Sequence, residues 1–138
     1  MIDLDIKTGR ISKTNLECYI RSGYLPVFIC RFMNPLVEKY ENTRIHFKEL
    51  SPSYELFCDS KYNNLPFESY IDRYIEEQKN LDVLRLLGRI KSLVDESNSK
   101  GAVLLCYCKD RTHCHRSILA EMINSTKLLS SPIVELYV

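Results

Sequence analysis

The sequence lacks an excess of either charge. Nineteen Lys and Arg stand against eighteen Asp and Glu, a formal net charge of +1. That leaves no electrostatic case for wrapping nucleic acid or for docking on an anionic membrane. Long apolar runs are missing too, and none approaches the ~18 residues of a membrane span. The first residues, MIDLDIKTGR, have neither the basic start nor the apolar stretch of a secretory signal. The cytosol is therefore the expected compartment. There the six cysteines are expected reduced, as core filler, metal ligands or reactive thiols rather than staples. Repeats, low-complexity segments and linkers are also absent. What remains is a chain of 138 residues, 45% hydrophobic and 27% charged. These values fit one globular domain that buries roughly two thirds of its unfolded surface.

Residues 1–10 alternate weakly (Ile2, Leu4, Ile6) and predict a short strand with a turn at Gly9. Leu16, Tyr19 and Ile20 predict a short helix closed by Ser22-Gly23. Val27 to Phe32 reads as an interior strand after Pro26, and Met33-Asn34-Pro35 as a loop. A helical turn is expected at 36–40 and an extended piece at 45–47. Ser51 or Ser53 is placed to cap a helix over 54–58, with a loop at 61–66. Phe67, Tyr70, Ile71, Tyr74 and Ile75 follow helical spacing, with Pro66 at the first turn. Val83, Leu84, Leu87, Ile90 and Val94 form a second stripe, in one bent helix or in two divided near Lys79-Asn80. A strand at 102–108, a loop, a helix from near Cys114 to Leu129 and a final strand at 133–138 complete the chain. The result is an α/β fold in a single domain 1–138. It has a mostly parallel sheet, flanking helices in Rossmann-like layers, and ligands outside the carboxyl ends of the strands.

The stretch GAVLLCYCKDRTHCHRSILAEMINSTKLL holds two of the three histidines and three of the six cysteines. A helix beginning near Cys114 frees the amides of residues 115–117 for an anion. Arg116 adds a planar fork suited to phosphate or carboxylate, and Lys109 and Arg111 add charge. The plainer alternative pairs Arg116 with Asp110, Glu49 or Glu55. On the helical wheel His115 falls at the centre of the apolar face. It is either a buried, hydrogen-bonded residue that holds the loop or a general acid/base. Ser117 faces outward and serves the local backbone. Cys114, at a helix N-terminus beside His113, His115 and Arg116, is a candidate nucleophile with a lowered pKa. The arrangement is similar to that of cysteine phosphatases but lacks their spacing of five residues: one residue separates Cys114 from Arg116, and seven separate Cys108 from it. Zinc is the other use of the cluster, with Cys106, Cys108, Cys114 and His113 or His115 as ligands.

LLCYCKDRTHCHRSILAEMI resembles the signature of the "domain of unknown function 488" family. That signature has an apolar strand ending in Leu-Leu-Cys, then Lys-Asp, then Cys-His-Arg-Ser and a helix. Lys48 to Ser53 with Glu55-Leu56, and Phe67, Tyr70 or Tyr74 with Glu76 or Glu77, are similar to two further family segments. Cys30 stands where relatives carry an acid at a strand end. Cys108 stands where they carry an uncharged or acidic residue. The resemblance implies a compact α/β domain with Arg31, the Lys48–Ser53 loop and the 109–117 loop around one pocket. It brings no established activity.

The leading expectation is a domain that binds an anionic small ligand such as a nucleotide. Arg116, Ser117, Arg31 and Lys48 would hold the ligand, and Lys109 and Asp110 would shape the mouth. His115 and Cys114 would be the catalytic candidates, with Glu49 or Asp110 as a partner for His115. No cofactor is required, zinc being the alternative. A metal-binding or thiol-redox module comes second. A protein-interaction or inhibitor domain, with some of its nine tyrosines as anchors, comes third.

Overall fold

The computed structural model describes residues 1–32, 45–108 and 114–137. Among the described residues, five strands and five helices follow one another in α/β order. They are β1 (Ile6–Arg10), α1 (Lys13–Arg21), β2 (Tyr24–Phe28), β3 (Ile45–His46), α2 (Tyr54–Tyr62), α3 (Phe67–Glu77), α4 (Val83–Glu96), β4 (Gly101–Cys106), α5 (His115–Ser125) and β5 (Val134–Glu135). A 3₁₀ turn, Lys48–Leu50, precedes α2. The sheet is parallel throughout, in the order β3-β2-β4-β1-β5.

β4 lies at the centre and is buried along its whole length, as is β2 beside it. Alternation then divides the core into two layers. Leu25, Val27, Ala102 and Leu104 face α2–α5, packing with Leu56, Tyr74, Leu87, Ile90 and Leu119. Tyr24, Phe28, Val103 and Leu105 face α1, packing with Leu16 and Tyr19. Connections running toward β3 and toward β5 put their helices on opposite faces, as right-handed crossovers require. β2 leads to β3 on one side, whereas β4 leads to β5 on the other. The crevice between β2 and β4 is therefore a switch point, and its carboxyl end is the natural ligand site.

Several boundaries differ from those expected. Gly9 lies inside β1 rather than in a turn. β2 begins at Tyr24, so Pro26 sits within a buried strand. Ile29 N donates to Leu105 O on the β4 side, and Phe28 O accepts from Phe47 N on the β3 side. Alternation points the missing N–H of Pro26 toward β3, whose pairing among the described residues starts at Val27, and so away from the β4 ladder. Ser53 is the cap of α2, accepting from Leu56 N at 3.1 Å, and α2 runs on to Tyr62. The two apolar stripes form two helices, α4 opening on Asp82, whose side chain accepts from Arg85 N. Pro66 occupies the cap position of α3. α5 ends at Ser125, not Leu129, with Lys127 at φ 58°. β5 keeps two residues of the expected final strand. The expected loop at 33–35 and helical turn at 36–40 lie outside the described residues.

Candidate functional site

A pocket of about 550 Å³ opens at the carboxyl ends of β2 and β4, within the usual range for small-molecule sites. β2 delivers Cys30, Arg31 and Phe32, and β4 delivers Cys106, Tyr107 and Cys108. Phe57, Ser60 and Lys61 come from α2, Tyr70 from α3 and His115 from the start of α5. No carboxylate stands among the described lining residues.

His115 is buried. Its Nε2–H donates to Ile29 O at 2.7 Å, and its ring lies 5.6 Å from that of Tyr74. The bond to a carbonyl fixes the tautomer and leaves Nδ1 with its lone pair. Nδ1 faces Cys114 Sγ at 3.8 Å. Burial, assisted by the Arg116 charge and opposed by the Ile29 bond, lowers the imidazole to about 4. The ring is neutral at pH 7. The apolar-face position read from the wheel is the one it occupies.

Arg116 is turned inward and fully buried. Its fork holds Glu135, with Nε to Oε1 at 3.1 Å and Nη2 to Oε2 at 2.9 Å. Nη1 donates to Cys108 O at 2.8 Å and to Cys106 Sγ at 3.0 Å. Thr8 Oγ1 donates to the same Glu135 carboxylate at 2.6 Å. Four of the five guanidinium N–H donors are thus taken by protein groups, and the side chain does not line the pocket. Among the described residues its carboxylate partner is Glu135 rather than Glu49 or Glu55, because β5 pairs with β1 and brings residue 135 beside Thr8.

Cys114 caps α5 with its backbone and is buried. Its Sγ is in bonding contact with Cys106 Sγ, across a Cα–Cα separation of 7.8 Å that is wider than a disulfide usually spans. Ser117 Oγ donates back to Cys114 O at 2.8 Å, a local backbone role. Cys106, Cys114 and His115 form a cluster whose ligand atoms all lie within 4.8 Å of one another. Cys108, exposed at the surface, lines the pocket outside that cluster. Burial pushes the Cys30 thiol up to about 12, so it stays protonated.

Arg31 reaches the pocket, as the sequence suggested. Its guanidinium lies 5.6 Å and 5.5 Å from the Phe32 and Tyr54 ring centroids, and Nη1 donates to Pro52 O at 3.3 Å. Among the described residues its buried Nε meets no partner. Lys48, in the exposed 3₁₀ turn, does not line the pocket. Glu49 pairs with Arg89 on the surface at 3.1 Å and does not meet His115. Lys109, Asp110 and His113 lie outside the described residues. Lys61 was not foreseen, because α2 was expected to stop at Cys58. Its Nζ lies 5.4 Å from the rings of Phe57 and Tyr62.

A parallel α/β domain with a cysteine- and histidine-bearing strand–loop–helix unit at its switch point is the class these features define. Residues 25–127 match the family model DUF488-N3a, described as the active DUF488-N3 subclade. The chain belongs to the DUF488 family. No curated protein and no solved structure gives a match. Among the described residues, no helix is long and apolar enough to cross a membrane.

Proposed function

We propose that the pocket binds a small anionic ligand with a planar or apolar body, of nucleotide size. The observation that carries this reading is Arg31: a guanidinium whose buried Nε lacks a partner, in a pocket without a described carboxylate. A buried donor left unmade costs about 1–3 kcal/mol, and a ligand oxygen would recover it. Lys61 supplies a second positive charge, while Phe32, Phe57, Tyr70 and Tyr107 offer apolar and aromatic walls. Arg31 and Lys61 take the role first assigned to Arg116. The family description "active" favours a ligand that is processed as well as held, with His115 and the neighbouring sulfurs as the reactive groups in reach.

Thermal shift against a panel of nucleoside monophosphates and inorganic phosphate tests the reading. A bound ligand at 100 times its Kd stabilises the fold by about 2.7 kcal/mol. Arg31→Ala should remove the shift while Lys48→Ala leaves it in place. A panel with no shift in the native chain, or one undiminished in Arg31→Ala and Lys61→Ala, refutes the anion site.

A further inference from the structure

We propose that Cys106, Cys114 and His115 form a mononuclear centre for a zinc-class divalent ion, with its fourth coordination position open to the pocket. Three observations converge on this. The donor set is two sulfurs and an imidazole nitrogen, all within 4.8 Å and all on buried residues. His115 Nε2–H is committed to Ile29 O at 2.7 Å. That is the outer-shell bond that orients a ligating histidine and presents its other nitrogen, here Nδ1, to a metal. Finally, Cys106 and His115 line the pocket whereas Cys114 stands behind them. An ion among the three therefore has its remaining side toward the cavity.

The backbone spacing favours an ion over a cystine. Disulfides join Cα atoms about 4.4–6.8 Å apart, and these lie 7.8 Å apart. Two Zn–S bonds of about 2.3 Å in tetrahedral geometry need sulfurs roughly 3.8 Å apart, so an ion would part the two sulfurs from their present contact, which the wide backbone separation allows. Charge also closes. Binding releases the two thiol protons, and the two thiolates neutralise a divalent cation. Arg116, already neutralised by Glu135, donates from Nη1 to Cys106 Sγ at 3.0 Å. Among the described residues the set offers three protein ligands, and three with one open position is the pattern of catalytic rather than structural zinc. A bound water or an oxygen of the pocket's ligand would complete the shell, and the ion would act on it as a Lewis acid. This last point deepens the pocket reading; the metal site itself stands without it.

The test is cobalt titration of the full chain, reduced and stripped of metal, with no organic ligand present. Uptake of one Co²⁺ per chain should bring thiolate-to-metal charge-transfer absorption and ligand-field bands of tetrahedral intensity, both displaced by zinc. Cys106→Ser and Cys114→Ser should each lose the charge-transfer band, and Cys58→Ser should keep it. His115→Ala should weaken affinity by more than the ~10–100-fold that loss of an outer-shell partner costs. Should a serine variant fail to fold, alkylation of the native chain decides: zinc must protect Cys106 and Cys114 selectively over Cys58. A folded, reduced protein that takes up no cobalt overturns the proposal, as does zinc that leaves both thiols equally reactive. Nucleotide shifts in a chain that takes up no cobalt would leave the anion site standing while this centre falls. Cobalt binding with no nucleotide shift would do the reverse.

Discussion

Replacing Arg116 by alanine should unfold much of what the pocket depends on before it touches any ligand. The side chains of Arg116 and Glu135 are 1% and 7% exposed, so the variant leaves a carboxylate buried without its guanidinium. Breaking a buried pair in this way costs about 3–5 kcal/mol. Typical domains hold only about 5–15 kcal/mol in total. For a chain of 138 residues the unfolding entropy is about 0.3 kcal/mol per degree, so Tm should fall by roughly 10–17 °C. Urea denaturation followed by circular dichroism measures the change directly, and Glu135→Ala should give a loss of similar size. The double variant Arg116→Met/Glu135→Leu removes both charges and should recover most of the loss. A residue holding a ligand anion behaves otherwise: its removal abolishes binding and leaves stability nearly unchanged. An Arg116→Ala variant within about 1 kcal/mol of the native chain would refute the architectural role argued here.

Stability of the metal-free protein should fall as pH drops from 6.5 toward 4. His115 is held near 4 chiefly by burial, against an ordinary 6.5. Below 6.5 the unfolded chain takes up a proton that the folded chain refuses, so the contribution is complete above 6.5 and gone near 4. It amounts to about 3 kcal/mol. Urea midpoints at pH 7 and 4.5 measure it, and His115→Gln should flatten the difference. Two glycines should respond in opposite directions, again by denaturant midpoint. Gly88→Ala, where an added Cβ meets nothing within 4 Å, should stabilise α4 by about 0.5–1 kcal/mol. At Gly101 the Cβ would press on the Asp5 carbonyl and lie 3.0 Å from Asp5 Cβ. That carbonyl is fixed by the bond from Ala102 N. Gly101→Ala should therefore cost about 1–3 kcal/mol.

Features set by local periodicity were readable in the chain, and features set by strand order were not. The stripe from Phe67 to Ile75 predicts α3, and the apolar run before Cys106 predicts the central strand. The wheel gives the burial of His115. None of these needs knowledge of a distant residue. The partner of Arg116 does. Glu135 lies in a two-residue strand whose importance comes from pairing with β1, and nothing in its flanking sequence marks it. The nearby carboxylates considered instead, such as Glu49, are drawn to the surface by other partners, here Arg89. Lys61 escaped for a different reason. α2 has a weak apolar stripe, with Leu56 its one buried residue, so periodicity gave no reason to extend it past Cys58.

The inward turn of the Cys-His-Arg segment changes what such a motif can be taken to mean. Its three side chains bind three separate parts of the sheet to the start of α5. His115 ties it to the chain leaving β2 through Ile29 O. Cys114 meets the end of β4 at Cys106, and Arg116 joins that end to β5 through Glu135. A basic residue at a helix N-terminus invites an anion by position, but direction decides whether it is free to take one. Arg116 spends its donors on a carboxylate, a carbonyl and a sulfur, and so cannot serve solvent-borne ligands. The segment therefore builds the floor of the pocket and leaves recognition to the rim. There Arg31 and Lys61 lie on aromatic rings that limit their motion without neutralising them. On the proposed reading the site divides by depth, with charge recognition at the mouth and the sulfur–imidazole cluster below. Substitutions at Arg31 should change affinity, whereas those at His115 or Cys106 should change turnover or metal content, with stability as a measured control.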